Sequence, residues 1–190
     1  MKLYCIGNIG YWIKLMTSNE STLYLNHTFQ KQSALSQFEI ATSNGRLKLS
    51  IPTIKDTRKG KYKDVKIDYQ SNWQVEHWRS IENAYLKSPF FLHYGYKIES
   101  VLKFKHLTLL ELNLALFRVI EKCLRCRKEV TVNYNEVVYF QKEKLTSVEP
   151  YPQVFDTNNK FEADLSILDL IFNLGPECVD YLSKTPQKSP

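Results

Sequence analysis

The chain has 190 residues, 43% hydrophobic, 13% aromatic and 24% charged, which fits one globular domain with a real core and excludes a disordered or fibrous chain. No run approaches the roughly 18–20 apolar residues that a membrane-crossing helix needs. Lys+Arg number 26 against 20 Asp+Glu, with a sequence pI near 9.0, a balance that favours anionic ligands such as phosphates, nucleotides or nucleic acid.

In chain order, "LYCIGN" (residues 3–8) is a short apolar run closed by glycine and predicts a buried strand. "YWIKLMTS" predicts a short helix, and "TLYLNH" a second strand. Strand, helix and strand in that order imply a parallel pair. The "GNIG" turn could cradle a phosphate on its backbone N–H groups, although it is not G-x-G-x-x-G. The start carries one Lys before an apolar run broken by Gly7, Asn8 and Gly10, and no cleavage site follows, so a cytoplasmic location is expected.

"FEIATSNGRLKLSIP" alternates apolar and polar residues on both sides of Asn44-Gly45, and predicts a hairpin with one buried face. Residues 55–66 hold six basic side chains against Asp56 and Asp64. This segment reads either as a solvated loop or as an anion-attracting lid carrying Lys59, Lys61 and Lys66. "VKID" predicts a strand. Residues 71–89 predict a helix with Ser71 or Asn72 as N-cap, and Trp73, His77, Ile81 and Tyr85 fall on one face of it. "FFLHYGYKIESVLKF" predicts a further helix, with a break allowed around Gly95. "LTLLELNLALFRVIEKCLR" is amphipathic, and Thr108 with Glu111 forms a capping box at its start. Cys123 and Cys126 form a lone C-x-x-C near its end. With no second pair or His pair there is no zinc site, and the four cysteines suit a reducing compartment. "KEVTVNY" predicts a late strand.

A Pro-containing connector then leads to the closing helix "DLSILDLIFNLGPE" (residues 164–177), which Gly175 ends. Ser166, Asp169 and Asn173 form a polar stripe along an otherwise apolar helix. Solvated faces carry Lys, Glu and Arg, so this stripe is expected either to bond the residues 151–155 connector or to wall a ligand site. The whole reads as one α/β domain over residues 1–184 with a loose tail at 185–190. It has a mixed sheet, an N-terminal strand-helix-strand unit, a β-hairpin, and helices in the middle and at the C-terminus.

"HTFQKQS", "SNG" before "LSIP", "KDVKID", "NWQVEHWRSIENAYLKSPFF", "YPQVF" and "LSILDLIFNLGP" occur together and in order. Over residues 3–177 they resemble the WbqC-like protein family, in the short variant of Bacteroidetes-type bacteria. The resemblance implies a protein of bacterial surface polysaccharide (O-antigen-type) biosynthesis, with amino-acyl transfer to a sugar, glycyl in its narrower form, as its proposed chemistry. Two departures stand out. The N-terminal His-Gln-Pro stretch of longer members is absent, and an Arg-Asn-Arg triplet is replaced by Leu35, Ser36 and Gln37. The latter removes two bidentate phosphate binders.

The candidate catalytic residues are His27, His77 and Asp169. Candidate substrate-binding residues are Gln30, Lys31, Ser33, Lys59, Lys61, Lys66, Trp73, Ser166 and Asn173. No metal ligand set is seen, and the sequence names no cofactor. His27 follows a strand end, where α/β sheets place ligands. His77 beside Trp73 reads equally as a core histidine. Three functions follow. One is a transferase-like protein acting on a sugar nucleotide or similar anion. Another is a non-catalytic binding accessory that lost family arginines. The third is a nucleic-acid binder, disfavoured because the basic residues cluster in one loop.

Overall fold

The computed structural model describes residues 1–19, 21–126, 128–137, 148–155 and 161–184. Helix α1 (Ile9–Thr17) is followed by strand β1 (Thr22–Tyr24) and the hairpin β2 (Gln37–Thr42) and β3 (Gly45–Ser50). Helices α2 (Trp73–Tyr85), α3 (Phe91–Lys103) and α4 (Leu109–Cys123) form the middle of the chain. Strand β4 (Thr131–Asn133), α5 (Ile167–Leu174) and α6 (Cys178–Lys184) complete it. Helices and strands share one apolar core, and parallel and antiparallel pairing are both present, consistent with an α/β chain.

The strands form two separate pairs, not one continuous sheet. In the hairpin, Phe38 faces Leu49 and Ile40 faces Leu47, the register set by the turn at Gly45 with its φ of 97°. Phe38, Ile40 and Leu49 are buried, and the hairpin packs on α2 and α5. The parallel partner of β1 is β4, with Leu23 opposite Val132. Residues 3–8 are therefore not the first strand of a strand-helix-strand unit. The cause is local: Ile6 has φ 62° and Gly7 φ 77°, and the Gly7 N–H donates to the Cys5 carbonyl at 2.6 Å. That is a γ-turn of the strained left-handed kind, and it breaks the extended run.

"VKID" likewise makes only single-residue pairings, Ile67 with Thr53 and Lys66 with Thr108. Helix α3 runs unbroken through Gly95. The α4 capping box forms as the sequence requires, Thr108 Oγ1 accepting from the Glu111 N–H and Glu111 accepting from the Thr108 N–H. Asn72 is the N-cap of α2, without a side-chain cap bond. Residues 138–147 of the connector and the tail at 185–190 lie outside the described residues.

Candidate functional site

Two clefts adjoin at the base of the hairpin. The first, about 410 Å³, carries Arg46 and Lys48 from β3, Glu39 from β2, Asp164, and the hydroxyls of Ser33 and Ser166. The second, about 430 Å³, carries Lys31, Ser36, Thr53 and Arg58. Gln32 and Gln37 line both and form the ridge between them. Each cleft falls within the roughly 300–1,000 Å³ usual for small-molecule sites.

Backbone strain gathers here. Among the described residues, Ile6, Gln32, Arg125 and Asp164 are the non-glycine residues with positive φ. Gln32 and Asp164 line the first cleft, and Ile6 sits between its lining residues Cys5 and Gly7. Left-handed backbone costs a side-chain-bearing residue on the order of 1 kcal/mol or more and clusters at functional sites.

The strain at Asp164 has a visible use. Its carboxylate accepts from the Gly10 N–H at 2.8 Å and from Asn8 Nδ2 at 2.6 Å, while Asn8 Oδ1 accepts from the Tyr11 N–H. The Ile9 N–H donates to the Leu165 carbonyl and that of Trp12 to the Asn8 carbonyl. The start of α1 is thus filled by the chain itself. "GNIG" does not cradle a phosphate, because Asp164 occupies the anion position. Burial raises the Asp164 carboxyl above its ordinary value, against the bonds from Gly10 and Asn8 and the nearby Arg46.

Arg46 ties the hairpin to the following segment. It donates to Glu162 at 2.6 Å, to Glu39 at 3.3 Å and to the Ala163 carbonyl. The Lys48 ammonium is 3.4 Å from Glu39. Ser166 is 1% exposed, and its hydroxyl, at the cleft wall, has no hydrogen-bond partner among the described residues. Cys5 also reaches the cleft, but burial pushes its thiol up to about 12, so it offers no thiolate nucleophile near neutrality.

Residues 4–149 match the profile of the WbqC-like protein family. The chain belongs to that family. Comparison with curated proteins and with solved structures gave no match. The family span takes in the hairpin and both clefts except Asp164 and Ser166, which follow it. Of the positions where family resemblance expects arginine, Leu35 is buried in the core and Gln37 lies on the ridge between the clefts.

The polar stripe divides three ways. Ser166 is the N-cap position of α5 and faces the first cleft. Asp169, 1% exposed, accepts from the Tyr151 hydroxyl at 2.5 Å and from Gln153 Nε2 at 3.0 Å, both in the connector. Burial raises its carboxyl above the ordinary range, against those bonds. Asn173 donates back to the Asp169 carbonyl at 2.8 Å.

His27 is buried, with its ring stacked on Tyr62 at 4.9 Å and its Nδ1 3.2 Å from the Thr28 carbonyl. Burial lowers its pKa. The Tyr62 N–H donates to the His27 carbonyl and Thr28 pairs with Lys61, so His27 and the basic segment are brought side by side. That segment is folded into short turns at Lys55–Lys59 and Tyr62–Asp64, anchored by the fully buried Tyr62. Lys59, Lys61 and Lys66 are exposed. Gln30 accepts from Lys2 at 3.0 Å.

His77 is buried elsewhere, edge-on to Trp73 at 5.3 Å and to Phe38 at 6.0 Å. Desolvation lowers its pKa to about 4, and its Nδ1 has no hydrogen-bond partner among the described residues. Of the sequence candidates, the clefts take Ser33, Ser166 and Lys31. His27, His77, Asp169, Gln30, Lys59, Lys61, Lys66, Trp73 and Asn173 are not among their lining residues.

The cleft residues Asn8, Gln32, Gln37, Glu39, Arg46, Lys48, Arg58 and Asp164 are not among the candidate site residues of the sequence, although Gln37 stands at an expected-arginine position and Arg58 in the basic segment. Arg46 and Glu39 alternate on the polar side of the hairpin, which was legible as a face but not as a wall. The role of Asp164 depends on a contact 154 residues away along the chain, which no local pattern shows. Among the described residues, no three His, Cys, Asp or Glu side chains come together as a metal site, and no helix is long and apolar enough to cross a membrane.

Proposed function

We propose that this WbqC-like protein works in the cytoplasmic assembly of bacterial surface polysaccharide of the O-antigen type, holding a sugar nucleotide or similar anion in the paired clefts. The observation that carries the reading is convergence. Strained left-handed residues, a buried Ser166 hydroxyl without a partner among the described residues, and the cations Arg46 and Lys48, which are paired with Glu39 and Glu162, all meet at one cleft. Lys31 and Arg58 border the neighbouring one. A two-part ligand, sugar on one side and nucleoside on the other, suits two clefts joined at a ridge. The Lys31 and Lys48 side chains then flank its phosphates, supplying charge where Leu35 and Gln37 do not.

The reaction attached to this reading is transfer of an amino-acyl group, glycyl in its narrowest form, to the bound sugar. A non-catalytic accessory that only binds the ligand is the second reading. One observation favours it: neither His27, His77 nor Asp169 is among the residues lining the clefts.

A thermal-shift screen against sugar nucleotides and amino-acyl donors tests the binding claim, because a ligand that binds only the folded chain raises its stability. Ser166→Ala should keep the melting temperature of the unliganded chain, since its hydroxyl has no partner to lose, and should shrink the shift produced by the ligand. No shift with any sugar nucleotide would sink the reading. Turnover of an amino-acyl donor by the wild-type chain separates the transferase from the accessory.

A further inference from the structure

A second surface lies away from the clefts. The four most exposed large apolar side chains in the described residues are Leu92 at 80%, Leu107 at 65%, Phe104 at 63% and Tyr96 at 60%. All fall between residues 86 and 107, as does Leu86 at 55%. Scattered exposed apolar residues are ordinary, but concentration in one stretch marks an interaction surface.

The stretch is α3 with the turns at its two ends. Leu92, Tyr96 and Lys103 stand at i, i+4 and i+11 on one stripe of α3, opposite the buried Phe91, Tyr94, Ile98 and Leu102. Phe104 and Leu107 continue past its C-terminus. There the Gln74 amide donates to the Leu102 and Phe104 carbonyls and fixes the turn against α2.

The charge of this stretch is one-sided. It holds Lys87, Lys97, Lys103 and Lys105 against Glu99 alone, and Glu99 is taken by Lys103 at 2.5 Å. The Lys97 ammonium lies 5.6 Å from the Tyr96 ring centre, and Lys105 lies 5.9 Å from that of Tyr69. Leucine and aromatic side chains interleaved with lysines have the composition of an interfacial membrane anchor. The apolar groups enter the headgroup region and the lysines meet anionic lipid.

We infer that the outer face of α3 and its flanking turns docks this protein on an anionic lipid surface. An acidic protein partner would match the lysines and could also cover Leu92, which is 80% exposed; failure to bind anionic vesicles is the result that would favour it. This inference is independent of the cleft: no residue named for the surface lines either cleft.

The test is co-sedimentation of the full chain with vesicles of phosphatidylcholine alone and of phosphatidylcholine with phosphatidylglycerol. Binding is expected to the second kind only, and to fall as salt is added. Lys87→Glu with Lys105→Glu should weaken it roughly tenfold or more. Leu92→Ser with Tyr96→Ser should also release the protein, while circular dichroism and melting temperature stay at wild-type values because both side chains are exposed. Three results would overturn the proposal. They are no binding to anionic vesicles, equal binding by both variants, and a concentration-dependent dimer that Leu92→Ser dissolves, which would make the face a contact between copies.

Discussion

His77 and Asp169 show how a buried polar group can be legible in sequence while its role is not. Both stood out as polar residues on apolar faces. For Asp169 the sequence leaves open a bond to the connector or a place in a ligand wall, and its carboxylate accepts from Tyr151 and Gln153. Asp169→Asn keeps an acceptor for those donors and should cost about 1–2 kcal/mol. Asp169→Leu strands both donors and should cost about 2–5 kcal/mol, read by urea denaturation. For His77 the prediction concerns pH. The unfolded ring takes its proton near 6.5 and the folded ring only near 4. Between those values the unfolded state binds the extra proton. Stability from this group is therefore full above pH 6.5 and falls as acid is added. The raised carboxyls of Asp164 and Asp169 act with the opposite sign, gaining stability as pH falls. Subtracting the His77→Leu profile from the wild-type profile isolates the histidine, and the difference should grow by on the order of 3 kcal/mol between pH 6.5 and 4. A flat difference would place His77 in water.

At the scale of elements, local patterns were read well wherever the physics is local. The hairpin, the capping box of α4 and the Gly175 stop of α5 are each set by residues within a few positions. The structure departs from those patterns in two ways, through one local turn that composition does not show and through one distant strand partner. Residues 3–8 have a strand's composition, but a γ-turn at Ile6 diverts them into the cleft wall. Strand β1 pairs instead with β4, across 109 residues between Thr22 and Thr131. Gly175 carries a prediction of its own. It has φ 54°, and a Cβ there would meet the Phe90 ring at 2.5 Å. Gly175→Ala therefore combines left-handed strain with a clash against a packed ring, and should cost about 2–4 kcal/mol. Gly45 also has positive φ but has open space around its Cβ position, so Gly45→Ala should cost only about 1 kcal/mol. Equal losses would remove the Phe90 contact from the explanation.

For the whole molecule, the central claim is that the paired clefts at the hairpin base hold an anionic ligand. The basic segment at residues 55–66 competes with them for that role, because it was the charge cluster visible in sequence. The two are separable. Lys31 and Lys48 border the clefts, whereas Lys59, Lys61 and Lys63 do not. The direct measurement is calorimetric titration with a uridine-diphosphate sugar at low salt, using three proteins: wild type, Lys31→Ala with Lys48→Ala, and Lys59→Ala with Lys61→Ala and Lys63→Ala. The clefts predict that the first variant binds roughly tenfold or more weakly, about 1.4 kcal/mol, and that the second stays close to wild type. Weakening confined to the second variant would contradict the cleft and move the binding site to the basic segment.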